Sequence, residues 1–167
     1  MKKFLAMLMA VMMVLSLVTV PVMAETPAAN DPRFSTAPKT GTAAAPADAA
    51  NLNEALNVAG GTLTFTSEGD HPWIVDGDAA KSTNVNVANS TSTVSTTVTA
   101  AAGDILQFDF MSFGEGSGNY VWDGLHLTVD GTEVMKWSRV ETWTTYAVEL
   151  TAGEHTVAWS YQKDGSV

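Results

Sequence analysis

The stretch WDGLHLTVDGTEVMKW, residues 122–137, decides the fold of this chain. Its first half alternates apolar and polar side chains, which is the two-residue period of a strand with one buried face. Asp130 and Gly131 follow, and this pair tolerates the positive φ angles of a tight hairpin turn. Val134 and Met135 then begin a return strand. The stretch therefore predicts an antiparallel β-hairpin.

Short segments with the same alternation lie on both sides of the hairpin and are separated by glycine-containing turns. They are TLTFT (62–66), TVSTTVT (93–99), ILQFDFMSF (105–113), TTYAVEL (144–150) and HTVAWSY (155–161). Residues 51–57, NLNEALN, predict one helical turn or a lead-in to the domain. Seven or eight strands at this spacing predict an all-β fold, an antiparallel β-sandwich of the jelly-roll type. An up-and-down barrel is the alternative architecture.

Residues 1–24 have the parts of a secretory signal peptide. Lys2 and Lys3 give a positive start, residues 4–20 form an apolar run, and the segment ends in small residues at Val22 and Ala24. A transmembrane anchor is the alternative, but the run is shorter than the roughly 20 apolar residues that a helix needs to cross a bilayer. We therefore expect cleavage and a secreted or cell-surface bacterial protein with no membrane attachment afterwards.

The remaining chain divides into a spacer and a domain. Residues 25–50 are rich in Ala, Pro and Thr, and Phe34 is their one large apolar side chain, so we expect a disordered spacer. The β-sandwich domain then occupies residues 51–167. The sequence ends in KDGSV, which resembles the start of a loop, whereas a sandwich usually closes with a last strand beside its first. We expect the domain to lack that last strand and to belong to a longer multidomain chain.

The composition limits the classes of partner and of chemistry. The chain has 18 acidic and 8 basic residues, a net charge of −10, and no basic cluster. Such a surface repels phosphate backbones, which argues against nucleic acid as a partner. The absence of Cys excludes disulfides, Cys-type zinc sites and thiol catalysis. Stability is therefore expected from a packed core.

Four stretches in their order resemble the jelly-roll modules of the MAM and cleaved-adhesin type: SEGDHPWIVDG, AAGDILQFDF, WDGLHLTVDGTEV and WTTYAVELTAGEHTVAWSYQKDGS. The resemblance covers residues 56–167 and is most specific at Asp123, Leu125 and Asp130 of the hairpin and at His155 and Trp159 of the last strand. It implies a non-catalytic binding or adhesion module of exported bacterial proteins, sometimes stabilised by calcium. Two features depart from the family: the disulfide cysteines of eukaryotic MAM domains and the closing strand are both missing from this sequence.

Carboxylates suited to a calcium ion lie in the turns on either side of residues 73–75. They are Glu68, Asp70, Asp76 and Asp78. Calcium takes carboxylate and carbonyl oxygens as ligands, and turns supply both, so a structural Ca²⁺ is one interpretation. The other interpretation is turn chemistry without an ion, because Asp is common in such turns for conformational reasons. The sequence leaves both open and implies no other cofactor.

The motifs of common enzymes are missing. Residues 114–118, GEGSG, lack the G-x-S-x-G order, no H-E-x-x-H occurs, and the three His residues are far apart. We interpret His155 as a structural or surface residue on the outward face of its strand. We therefore expect no enzymatic activity.

Aromatic residues that border loops are the candidates for ligand contact. Tyr120, Trp122 and Trp143 have no clear apolar partners in the sequence, and Asp123 adds a carboxylate to the same region. Trp159, in contrast, is in phase with apolar strand positions and is predicted to lie in the core. Exposed rings stack on sugars and pack against protein surfaces. We hence expect an extracellular protein or glycan as ligand.

The expected function is a non-catalytic module, secreted or displayed on the cell surface, that mediates adhesion or protein contact. The alternative is a carbohydrate-binding module of a larger exported glycoside hydrolase or peptidase. Ligand binding at the residues that border the loops is common to both. They differ in whether that ligand is a protein or a sugar.

Overall fold

The computed structural model describes residues 10–14, 50–56, 63–77, 79–117 and 119–166. These ranges form strands and a short helix, α1 (Leu52–Leu56). The strands are β1 (Ala10–Val14), β2 (Phe65–Thr66), β3 (Ile74–Asp76), β4 (Ala79–Lys81), β5 (Thr91–Ala100), β6 (Ile105–Phe113), β7 (Gly116–Ser117), β8 (Tyr120–Val121), β9 (Gly124–Val129), β10 (Thr132–Trp137), β11 (Arg139–Glu149) and β12 (Gly153–Gln162).

The long strands form two antiparallel sheets. One sheet has five strands in the order β10-β9-β12-β5-β2, and the other has three in the order β1-β6-β11. Two short ribbons, β3–β4 and β7–β8, stand outside these sheets. The all-β antiparallel sandwich predicted from the sequence is therefore confirmed, while its jelly-roll subtype stays a prediction.

Aromatic rings join the two sheets in the core. The ring of Phe108 on β6 lies edge-on to Trp159 on β12, with centroids 5.4 Å apart, and edge-on to Trp137 on β10 at 6.1 Å. Leu106, Phe108 and Phe110 alternate along β6, and all three are fully buried. The predicted core position of Trp159 is confirmed as well. The two-residue period identified these positions because strand side chains alternate between the two faces.

The hairpin predicted within residues 122–137 forms as expected. β9 and β10 pair directly on either side of the turn, with Val129 opposite Thr132. Asp130 and Gly131 have φ angles of 52° and 76°, the positive values that the sequence anticipated for a tight turn. The register shifts once on the return strand, between Glu133 and Met135.

A histidine attaches this turn to the neighbouring strand β12. The Nδ1 atom of His155 lies 2.7 Å from Oδ2 of Asp130, and Nε2 donates to the carbonyl of Thr151 at 3.0 Å. The Asp130 Oδ1 atom accepts from the N–H of Thr156 at 2.9 Å. His155 is buried, so the expectation that it lies on the outward face is wrong. Residues 155 and 157 are two positions apart on β12, so the strand alternation already placed His155 on the same face as the buried Val157.

This pair makes the stability of the fold depend on pH. The hydrogen bond with Asp130, followed by the one with Thr151, raises the pKa of His155 above its ordinary 6.5. The same bond with His155 lowers the pKa of Asp130 below 3.8. The histidine therefore stabilises the fold at low pH, and its contribution is lost as the pH rises through the raised pKa. The aspartate contributes above 3.8, and that contribution is lost as the pH falls through the lowered pKa.

We expect the melting temperature to fall as the pH rises from 6.5 through the raised pKa of His155, because the histidine contribution disappears there. His155→Gln should flatten this part of the profile. His71→Gln, in a loop before β3, should leave it unchanged and serves as the control. The measurement is thermal unfolding by circular dichroism in matched buffers. A slope that survives in His155→Gln would assign the pH dependence to other groups.

The segments expected to precede the domain are described only in part. Of the predicted signal peptide, the structure describes residues 10–14, which form β1 beside β6. The predicted spacer lies outside the described residues except for Ala50, whose N–H donates to Oε2 of Glu54 at 2.8 Å. Among the described residues there is no helix with the length and apolar character needed to span a bilayer.

Candidate functional site

Three large aromatic side chains are exposed on one segment, residues 113–117 and 119–123, which we call the aromatic loop. Phe113 is 66% exposed, Tyr120 75% and Trp122 49%. The loop connects the end of β6 to the start of β9 and includes the ribbon β7–β8. Large exposed apolar patches on soluble proteins commonly mark interaction sites. The aromatic loop is therefore the candidate site.

Backbone hydrogen bonds fix the shape of the loop. The strands β7 and β8 pair with each other, so the loop folds back as a ribbon. The carbonyl of Glu115 accepts from the N–H of Trp122 at 2.9 Å and from that of Asp123 at 3.0 Å. The two ends of the loop are thus bonded together. The described part of the loop is therefore a ribbon that is held at both ends.

Glycines permit this close approach of backbones. A Cβ atom on Gly114 would lie 2.1 Å from the carbonyl oxygen of Asp123, and one on Gly124 would lie 2.2 Å from that of Trp137. Both distances are far below van der Waals contact. Gly114 also donates its N–H to the carbonyl of Ser138 at 2.8 Å, on the connection between β10 and β11. These two glycines are required because neighbouring backbones lie so close to them, and neither has a positive φ angle.

A buried ion pair lies beneath the aromatic loop. The Oδ2 atom of Asp123 bonds to Nζ of Lys163; the Asp123 side chain is buried, and the Lys163 side chain is 11% exposed. The Oδ1 atom of Asp123 accepts from the N–H of Asp164 at 2.8 Å. Each carboxylate oxygen therefore has a partner in the segment that follows β12. The ion pair attaches the loop to that segment.

A tyrosine holds the other end of the loop. The hydroxyl of Tyr161 on β12 donates to the carbonyl of Phe113 at 2.5 Å. Burial, followed by the nearby charges of Asp123 and Glu115, raises the pKa of Tyr161 to about 12. The hydroxyl therefore stays protonated, and remains a donor, throughout the physiological pH range. Phe113 is held at its backbone while its ring stays exposed.

The structure separates the four residues that the sequence proposed for ligand contact. Tyr120 and Trp122 are exposed on the aromatic loop. Asp123 lies in the same segment, but it is buried, and we reassign it from ligand contact to support of the loop. Trp143 lies on β11, where the pairing with β6 shifts, and it packs partly buried against the core.

Phe113 is a candidate ligand residue that the sequence reasoning missed. Leu106, Phe108 and Phe110 alternate inward along β6, and Phe113 has the opposite phase. The parity of its position was the available signal, since strand residues of opposite parity point to opposite faces.

The carboxylates proposed for calcium do not form a metal-binding cluster among the residues that the structure describes. Glu68, Asp70 and Asp76 are exposed, and Asp76 pairs with Nζ of Lys81 at 3.3 Å. Asp78 lies outside the described residues. Within the described ranges, no group of three or more His, Asp or Glu residues is arranged to hold a metal ion. Calcium binding therefore stays a prediction from the sequence.

The loop offers stacking and hydrogen bonding to a ligand. Its exposed rings provide flat apolar faces, and its exposed acid is Glu115, whose Oε1 accepts from the hydroxyl of Ser166 at 3.2 Å. Residues 113–123 contain no Lys, Arg or His. A ligand with a neutral or partly apolar face fits these groups better than an acidic one does.

Comparisons with protein-family models, with characterised proteins and with solved structures found no match to this chain. The resemblance to MAM and cleaved-adhesin modules consequently stays a prediction from its motifs. The case for a function rests on the aromatic loop and on the groups that hold it.

Proposed function

We propose that this chain is a non-catalytic binding module that acts outside the cell and contacts an extracellular protein or surface through its aromatic loop. The observation that carries the proposal is the exposure of Phe113, Tyr120 and Trp122 on a segment whose backbone is fixed. Secretion is part of the proposal and is supported by the signal-peptide pattern of residues 1–24.

A fixed loop suits binding because less conformational entropy is lost when the ligand arrives. The Glu115 carbonyl, the Tyr161 hydroxyl and the Asp123–Lys163 pair hold the backbone before any ligand is present. Aromatic side chains add large contact area with few rotatable bonds. The rings therefore meet the main requirement of an interaction hot spot, which is apolar area on a rigid support.

Carbohydrate binding is the second candidate, and the chemistry of the same loop favours it specifically. Tyr and Trp rings stack on the apolar faces of sugars, and nearby acids such as Glu115 accept hydrogen bonds from sugar hydroxyls. In this case the module would deliver an attached catalytic domain of an exported hydrolase to its polymer. The two candidates use the same surface and differ in the ligand.

Trp122→Ala is expected to weaken binding about thirtyfold, because truncating a hot-spot aromatic costs roughly 2 kcal/mol. The full chain would be tested on a glycan array and on a panel of immobilised extracellular proteins. Tyr120→Ala should act in the same direction. Binding to glycans that free sugar competes away would favour the carbohydrate candidate, whereas binding to proteins alone would favour the first.

Ile74→Ala is the matched control, since Ile74 is also an exposed apolar side chain, at 47%, but lies on β3 outside the loop. It should bind like the unchanged chain. If Trp122→Ala and Ile74→Ala bind equally well, the aromatic loop is not the binding surface. Unchanged melting temperatures of the variants would show that any loss of binding is local.

A further inference from the structure

Two carboxylates lie beside the exposed rings of the aromatic loop. Glu115 is exposed, and its carbonyl bonds to the N–H of Trp122, so this acid belongs to the ribbon that carries the rings. The hydroxyl of Ser166 lies 3.2 Å from Oε1 of Glu115 and 2.7 Å from Oδ1 of Asp164. Hydrogen bonds from the N–H and then the hydroxyl of Ser166 lower the pKa of Asp164, which is therefore ionised at neutral pH. The two acids thus meet at one hydroxyl.

The basic side chains that adjoin the loop leave this negative charge in place. Lys163 bonds to Asp123, so its charge is matched by a third carboxylate. Arg139 lies opposite Phe113 in the pairing of β11 with β6, and its Nε atom lies 2.9 Å from Oε1 of Glu141. Each of these two pairs is neutral as a whole. The loop and the segment after β12 therefore present two uncompensated negative charges next to aromatic rings.

We propose that the ligand of the aromatic loop is a basic segment of a partner protein, whose arginine or lysine side chains lie on the exposed rings. A cation is attracted to the face of an aromatic ring, and a neighbouring carboxylate adds to that attraction. Phe113, Tyr120 and Trp122 supply the faces, and Glu115 supplies a carboxylate on the same loop. This inference rests on the proposed function and specifies the chemistry of its ligand.

A separate polypeptide supplies the cation better than this chain does. In the described ranges every Lys and Arg side chain is already paired with a carboxylate: Lys81, Lys136, Arg139 and Lys163. The expected spacer, residues 25–50, has two basic residues against three acidic ones. Residues 1–24 contain Lys2 and Lys3, but they are expected to be cleaved.

The net charge of the chain identifies the kind of partner further. It is −10, so a second copy would bring the same excess of acid to the contact. Opposite charge across an interface accelerates encounter and suppresses wrong partners. A basic partner therefore fits this surface, whereas a copy of this chain or an acidic protein does not.

Two synthetic peptides separate the charge of the ligand from its shape. The first has two arginines separated by glycine, with Gly-Ser pairs on both sides. Arginine is chosen because its planar guanidinium both stacks on rings and pairs with carboxylates. The second peptide has citrulline in place of both arginines, which keeps the length and planarity and removes the charge. Isothermal titration calorimetry with the full chain measures both affinities.

We expect the arginine peptide to bind at least about tenfold more tightly than the citrulline peptide at low ionic strength. Most of this difference should disappear in about 1 M salt, where the screening length falls to about 3 Å. Trp122→Ala should weaken the binding of the arginine peptide, because it removes one of the faces on which the cation lies.

Glu115→Gln tests the carboxylate without changing the fold of the loop, because the backbone carbonyl that holds Trp122 and Asp123 remains. It should weaken the arginine peptide about fivefold and leave the citrulline peptide unchanged. Glu154→Gln is the matched control. Glu154 is also an exposed acid, but it is at the start of β12, whereas Lys163 follows the end of that strand.

Three results would overturn the inference. Equal affinity for the two peptides, lost in Trp122→Ala, would show that the rings bind without a cation, and the proposed function would stand. Absence of any binding of the arginine peptide to the full chain, as a cover of the rings by this chain itself would produce, would exclude a basic ligand. Tighter binding of the arginine peptide that Trp122→Ala does not weaken would place the cation away from the rings. The proposed function keeps its separate test with extracellular proteins and glycans.

Discussion

Asp123→Ala is expected to lower the free energy of unfolding by about 3–5 kcal/mol, since it leaves the ammonium of Lys163, whose side chain is only 11% exposed, without its partner. It also removes the acceptor for the N–H of Asp164. A typical domain is stable by only about 5–15 kcal/mol, so this single change takes away a large part of the total. The variant should also loosen the aromatic loop and reduce ligand binding.

Urea unfolding followed by Trp fluorescence would measure the effect. Asp76→Ala is the matched control, because Asp76 also forms an ion pair with a lysine, Lys81, but both side chains are more than half exposed. Exposed pairs contribute about 0–1 kcal/mol. The double variant Asp123→Asn with Lys163→Met removes both charges and should recover part of the loss. Equal small losses in Asp123→Ala and Asp76→Ala would mean that the buried pair does not hold the loop.

Phe108→Ala is expected to lower the free energy of unfolding by about 3–5 kcal/mol through the cavity that it leaves. Its ring contacts Phe110 and Tyr146 within its own sheet, with centroids 5.7 Å away in each case. It also contacts Trp137 and Trp159 of the other sheet. Removing it deletes a ring that contacts both sheets in the core.

Phe113→Ala is the control for this change because it removes the same ring from the same strand at an exposed position. Surface substitutions of this kind usually alter stability by less than about 0.5 kcal/mol. The midpoint of urea unfolding should therefore shift strongly for Phe108→Ala and little for Phe113→Ala. Ligand binding should weaken strongly for Phe113→Ala and little for Phe108→Ala. If the two variants unfolded at the same urea concentration, Phe108 would not lie at the centre of the core.

Much of the fold could be predicted from the sequence because its signals are local. The alternation in β6 and β12 identifies the inward row, and Asp130 with Gly131 identifies the turn between β9 and β10. Both signals depend on residues within a few positions of one another. The exposed rings at Tyr120 and Trp122 were also predictable, since they border a loop and lack apolar partners nearby.

The support of the site could not be predicted in the same way. Asp123 and Lys163 are 40 positions apart, and only the pairing of the strands brings them together. Asp123 follows a loop in the sequence and therefore looked like a surface residue. The roles of Gly114 and Gly124 depend in the same way on the backbones that they approach, which belong to residues 123 and 137. Contacts between distant segments decide these roles, and local periodicity carries no information about them.

The close backbones at Gly114 and Gly124 determine which positions a directed-evolution library can vary. At these two positions any side chain collides with a carbonyl oxygen, so randomising them would produce mainly misfolded clones. Phe113, Tyr120 and Trp122, in contrast, are exposed and can be exchanged without disturbing the ribbon. A library that holds the glycines constant and diversifies these three rings would yield variants that fold alike and differ in what they recognise.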